Sequence, residues 1–83
     1  MVIHIRLSEP YWRTVGQRNF DLEMEDGKSV NDLVSALCNH SKGLAQEMEE
    51  APPVIFIDEV EASMEVELFH DSHVHLVWPI AGG

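Results

Sequence analysis

One stretch constrains this chain more than any other. Val30, Leu33, Val34, Leu37 and Cys38 fall at i, i+3, i+4, i+7 and i+8, a continuous apolar stripe of helical period. Ser29 stands just before it and Asp32 three residues on, the spacing of a capping box with Asp in place of the commoner Glu. His40 and Lys42 near the far end complement the negative end of the helix dipole, and Gly43 is expected to supply a left-handed cap. A lone amphipathic helix must bury its stripe against something else, and the flanking sequence offers strands. The expectation is therefore an α+β domain with one main helix laid across one face of a sheet.

The strands follow from alternation. Ile3, Ile5 and Leu7 point one way while Val2, His4 and Arg6 point the other, until Ser8-Glu9-Pro10 breaks the run. A loop carrying Tyr11, Trp12 and Gly16 follows. Phe20, Leu22 and Met24 then alternate with polar neighbours up to the turn signal Asp26-Gly27, and these two strands are expected to form an antiparallel hairpin. After the helix, 44–48 reads as a further short helical turn ended by Pro52-Pro53. Val54 to Ile57 reads as a third strand, apolar on both sides. A short acidic strand from Val60 to Met64 and a last strand from His73 to Trp78 complete the order, with Pro79 ending the ladder. Leu68 and Phe69 are expected to pack under a turn at 70–72.

Composition narrows the partners. At 83 residues the chain has room for one domain, and 45% apolar residues suit a globular core rather than disorder. Fifteen acids against five bases give a net charge of −10, which repels phosphate backbones and anionic lipid surfaces and favours a basic protein surface. No nucleic-acid or membrane partner is expected. The single cysteine, Cys38, can form neither an internal disulfide nor a thiolate zinc cluster, and its place on the helix stripe predicts a buried, inert thiol. An arginine at position 6 interrupts any signal-peptide core, and no apolar run before the tail exceeds the four residues Val54–Ile57, so a cytoplasmic location is expected. His70, His73 and His75 cluster near the last strand, but without further ligands they read as solvated histidines and no metal site is expected. Trp12 and Trp78 are candidate partner anchors, with packing at least as strong a reading for Trp78, and the acids of 59–67 read as a solvated edge that discourages strand pairing.

The remaining signal is the ending, Pro79-Ile80-Ala81-Gly82-Gly83, five residues that follow directly on the last strand. Together with the run from Phe20 to Leu37 (strand, Asp26-Gly27 turn, capped helix) it resembles the MoaD/ThiS family of ubiquitin-like sulfur carriers, and the proline and small residue before Gly-Gly resemble the MoaD branch, the molybdopterin synthase small subunit. Tyr11-Trp12-Arg13 with Gly16 is loosely similar to that branch's first loop. Two turns depart from the family's pattern: Asp58-Glu59 stands where Asn-Gly is common, and Asp71-Ser72 where Gly-Asp is usual. Asp tolerates positive φ better than most residues, so the second turn is expected to survive.

The resemblance implies a β-grasp fold, with a mixed sheet of four to five strands and pairing between the first and last of them. It implies a domain over residues 1–78 and a flexible tail over 79–83. It implies no enzymatic activity of the chain's own and no bound cofactor; the chain would be a protein cosubstrate. In such carriers a partner of the ubiquitin-activating type uses ATP to adenylate the terminal carboxyl, here that of Gly83. A sulfur donor then displaces AMP to leave a thiocarboxylate, which delivers sulfur to an accepting enzyme such as a molybdopterin synthase large subunit. Gly82 would let the backbone pass closely into that partner, with Ala81, Ile80 and Pro79 forming the rest of the inserted segment. Two other readings stay open: a protein modifier joined through Gly83 to target lysines, and a β-grasp binding module with an inert tail.

Docking needs a surface as well as a tail. In Val54–Ile57 alternate side chains face opposite sides and the helix can cover only one, so an apolar pair is left on the open face. If Val74 and Leu76 face the helix, His73, His75 and Val77 join that pair. Phe56, His75 and Val77 are therefore the expected partner-binding residues, unless the Tyr11–Gly16 loop covers them.

Overall fold

The computed structural model describes residues 1–79. β1 (Val2–Leu7) leads through a short helix α1 (Tyr11–Val15) to β2 (Asn19–Glu23). Helices α2 (Val30–His40) and α3 (Lys42–Glu50) come next, then β3 (Val54–Ile57), β4 (Val60–Ala62) and β5 (His73–Val77). The five strands form one mixed sheet in the order β2-β1-β5-β3-β4. β1 and β5 run parallel at its centre, with His4 opposite His73 and Leu7 opposite Leu76, and the other neighbours are antiparallel. This is the β-grasp arrangement, with α2 across one face.

Period two sets the core. Ile3, Ile5 and Leu7 of β1, Val74 and Leu76 of β5 and Ile55 of β3 are buried on one face, and Val30, Leu33 and Leu37 of α2 pack onto them. The capping box forms as expected: Ser29 Oγ accepts from the Asp32 backbone N–H, and the Asp32 carboxylate accepts from the Ser29 N–H at 2.8 Å. That contact also holds the Asp32 carboxyl below the ordinary carboxylate pKa.

Three local expectations need correction. The segment after Pro10 is not a loop: it forms α1, which closes on Gly16 at φ 92°. Gly43 does not cap α2. The helix ends on Ser41, which is extended and whose Oγ accepts from the Leu44 N–H at 3.2 Å, so the same residue starts α3. Gly43 lies inside α3 instead, where a Cβ would stand 2.7 Å from Thr14 Cγ2; its smallness lets α3 approach α1. Finally, Leu68 is buried but Phe69 is 66% exposed. Neighbouring residues of a near-extended segment point opposite ways, and the turn closed by Ser72 N–H to the Phe69 carbonyl at 3.0 Å leaves the phenyl ring outside.

The two departing turns both use positive φ. Asp58 and Glu59 lie at φ 48° and 71° in the two-residue β3–β4 connection, the conformation of a type I′ hairpin turn, and Asp71 lies at φ 67° before β5. Asp58 anchors its turn by accepting the His73 N–H at 3.0 Å and donating its own N–H to the His73 carbonyl at 2.8 Å.

Candidate functional site

β5 carries the chain towards its Gly-Gly motif, and its last residues are fixed by β1 and α1. The Ser8 N–H bonds the Leu76 carbonyl at 3.1 Å, and Ser8 Oγ accepts the Trp78 N–H at 2.8 Å, which extends the parallel ladder one step beyond the strands. The Trp78 ring stands edge-on to Tyr11 with centroids 5.5 Å apart. Tyr11 is itself buried: its hydroxyl donates to the Ala51 carbonyl at 3.3 Å, and burial, helped by the Glu47 charge, pushes its pKa to about 12. Trp78 is thus a packing group, held between a hydroxyl and an aromatic edge, and the next residue, Pro79, is exposed. Ile80, Ala81, Gly82 and Gly83, to which sequence reasoning assigned the reacting terminus, lie outside the described residues.

The three expected docking residues do share a face. Phe56 pairs with His75 across the β3–β5 ladder and Val54 with Val77, all half-buried and all on the side away from α2. α1 does not cover them, because it packs against α3 on the helix side. Arg6, opposite His75 on the β1 side, adds an exposed guanidinium to the same face. Burial, and after it the Arg6 charge, lowers the His75 pKa, so this histidine is neutral at pH 7 and extends the apolar strip formed by Phe56, Val54 and Val77.

A polar network borders the strip towards β2. The His4 ring bridges two carboxylates, Nδ1 to Asp21 Oδ1 at 2.8 Å and Nε2 to Asp71 Oδ1 at 3.0 Å, and stacks on His73 with centroids 4.7 Å apart. The bond to Asp21, then that to Asp71, raises the His4 pKa, and the His4 bond in turn lowers that of Asp71. The histidines are therefore distributed over separate jobs. Among the described residues no three His, Cys, Asp or Glu side chains are grouped to hold a metal ion.

Cys38 is half-buried, with its Sγ 3.7 Å from Met48 Sδ, and burial raises its pKa, so the thiolate is disfavoured. Trp12 is also half-buried, with the guanidinium groups of Arg13 and Arg18 at 4.9 and 4.7 Å from its ring. Sequence reasoning missed Ser8 and Arg6 as parts of the site. A serine at the end of β1 reads as part of a breaker, and its role exists only because a strand some seventy residues later lies beside it. Among the described residues no helix is long and apolar enough to cross a membrane.

No protein-family model matches the chain, and no curated protein sequence is similar to it at a significant level. Solved structures are. SAMP1, a small archaeal modifier protein from Haloferax volcanii, superposes with a TM-score of 0.81 at 15% identity, covering 100% of both chains. A protein described as molybdopterin converting factor subunit 1 from Pyrococcus furiosus gives 0.86 at 17% identity, over 96% of this chain and 99% of that one. A complex of subunits 1 and 2 of the molybdopterin-converting factor from Helicobacter pylori contains a further chain at 0.64 and 17% identity, with 100% of both covered. At these identities the likeness establishes architecture, and the sheet order and the helix placement agree with it. The chain is a ubiquitin-like β-grasp domain with the fold of these small modifier and converting-factor subunits.

Proposed function

We propose that the chain is a sulfur carrier whose Gly83 carboxyl is adenylated by a partner at the expense of ATP and then converted to a thiocarboxylate that donates sulfur in molybdopterin synthesis. The observation that carries this reading is the fixed end of β5. Ser8 and Tyr11 hold Trp78 at the rim of the fold, so the Pro79-Ile80-Ala81-Gly82-Gly83 segment starts from a defined point. A free carboxylate is anionic and resonance-stabilised, so it needs activation before sulfur can replace oxygen. Acyl adenylation supplies a leaving group, and the sulfur donor expels AMP. Glycine at the last two positions suits close approach of backbone to a partner's active site, and Pro79 restricts the segment before insertion. The likeness to a subunit that is solved in complex with a second converting-factor subunit supports an accepting partner of that kind.

Incubated with ATP, an adenylating enzyme and a sulfide donor, the chain should gain the mass difference of one oxygen exchanged for one sulfur, and deletion of Gly83 should prevent it. Equal thiolation of the truncated chain would exclude the proposal. The likeness to SAMP1, a modifier protein, favours one second reading, conjugation of Gly83 to target lysines. An isopeptide-linked Gly83 in place of a thiocarboxylate would identify that outcome.

A further inference from the structure

Among the described residues, the large apolar side chains that the fold leaves most exposed stand together. Val60 is 69% exposed, Phe69 66% and Val66 39%, and all three line one groove between β4 and the segment that returns from it to β5. Its acidic lining comes from Asp58, Glu61, Glu67 and Asp71, and its single basic group is His70. None of the chain's five Lys and Arg residues lines it. Asp58 and Asp71 are engaged with His73 and His4, whereas Glu61 and Glu67 have no ion-pair partner among the described residues.

β4 is also the free edge of the sheet, bonded to β3 alone. In a two-residue hairpin the closing pair, here Ile57 and Val60, exchanges both backbone bonds, so the next residue directs its N–H and C=O outwards. Among the described residues, Glu61 therefore offers an unpaired donor and acceptor beside the groove. The acids of this region were expected to guard the edge against pairing. They repel a second copy of this very acidic chain, but they attract a cationic strand.

We propose that this groove docks a short extended segment of another protein that carries a large apolar side chain between lysines or arginines. The apolar side chain seats between Val60 and Phe69, the cations meet Glu61 and Glu67, and the segment's backbone pairs with Glu61, the mode of strand addition. Ser72 at the groove marks the start of β5, while Pro79 follows its end, so the two sites are separated by the length of the strand, roughly 16 Å. Glu61 pairs with Phe56 and shares its face, so a segment docked here borders the Phe56–Val77 strip at the β4 edge.

The test uses the whole chain and the peptide Lys-Val-Lys-Trp-Lys-Val-Lys, followed by amide chemical shifts at low salt. Shifts should concentrate at Val60, Glu61 and Phe69. Phe69→Ser, and separately Glu61→Gln with Glu67→Gln, should each weaken binding by at least about fivefold. Glu23→Gln with Glu25→Gln, at the opposite side of the sheet, should leave it unchanged. Absence of binding overturns the proposal. So does equal weakening by the opposite-side pair, which would show diffuse attraction to an acidic protein, or equal binding of Glu-Val-Glu-Trp-Glu-Val-Glu. Sedimentation of the free chain closes the remaining alternative: a dimer abolished by Phe69→Ser would make a second copy the occupant and also overturn it.

Discussion

The two faces of the sheet are built from the same strands and behave as different materials. On β1, Ile3, Ile5 and Leu7 are at most 2% exposed, while His4 and Arg6 between them meet solvent or polar neighbours. On β5 the same division separates Val74 and Leu76 from His73, His75 and Val77. The covered face has one task, exclusion of water, and its residues are aliphatic. The open face carries an apolar strip, a neutral histidine, an exposed guanidinium and a histidine clamped by two carboxylates. In a domain this small, most of the stability sits on one side, so side chains can diversify on the other without undoing the fold.

The largest expected effect tests the covered face. Leu33 is fully buried under the sheet, and Leu33→Asp would place an unpaired carboxylate there at a cost of about 3 kcal/mol or more. A chain of this size has roughly 5–10 kcal/mol in total, so loss of cooperative unfolding in a thermal melt is expected. Val77→Asp is the matching change on the open face. Val77 is half-buried against Val54, so the melt should survive with a loss of about 1 kcal/mol or less. On the proposed carrier reading, binding to the adenylating partner should weaken in the same variant, and added salt should slow association more than it speeds dissociation. A Val77→Asp chain that unfolds would show that the open face also bears the fold.

The division between faces is legible in the sequence, and for a simple reason. Alternation at Ile3-His4-Ile5-Arg6-Leu7 and at Val74-His75-Leu76 carries the face of every residue once one of them is assigned. The Ser29–Asp32 box and the stripe from Val30 to Cys38 placed α2 with equal directness. α1 and α3 were less legible. α1 is a single turn whose buried residue, Tyr11, is fixed by Ala51 and Trp78 far along the chain, and α3 buries only Leu44 and Met48. The hydrogen bond of Ser8 to Trp78, the bridge from His4 to Asp21 and Asp71, and the outward turn of Phe69 all depend on tertiary juxtaposition. No local pattern encodes them.

A smaller effect separates backbone demand from side-chain identity. Glu59 occupies φ 71°, a region where a Cβ costs roughly 1 kcal/mol and glycine pays little. Glu59→Gly should raise the denaturant midpoint by a net equivalent of about 0.5 kcal/mol, since the greater freedom of glycine in the unfolded chain offsets part of the relief. Glu59→Val should lower it. Equal midpoints for both would show that the turn relaxes around its residue, and that neither face depends on its register.

The smallest effect belongs to the His4 bridge, which lies on the open face and is well solvated. Its pKa is raised in the fold by the Asp21 and Asp71 bonds, so the protonated ring is the form the native state prefers. Its contribution is complete below the ordinary histidine value of about 6.5 and is lost as pH rises through the raised one. Asp71 has the opposite sign: its pKa is lowered, so its contribution is present above the ordinary carboxylate range and fades as pH falls through the depressed value. The bridge is therefore strongest in the interval between the two, and the midpoint of unfolding should decline slightly from weakly acid to alkaline pH. Asp71→Asn keeps a residue that tolerates φ 67° while removing one of the two carboxylates, and the decline should shrink. His4→Gln should remove His4's share of it, leaving Leu33 and the covered face untouched. A slope unchanged in both variants would leave the bridge with no energetic part in holding β1, β2 and the 71–72 turn together.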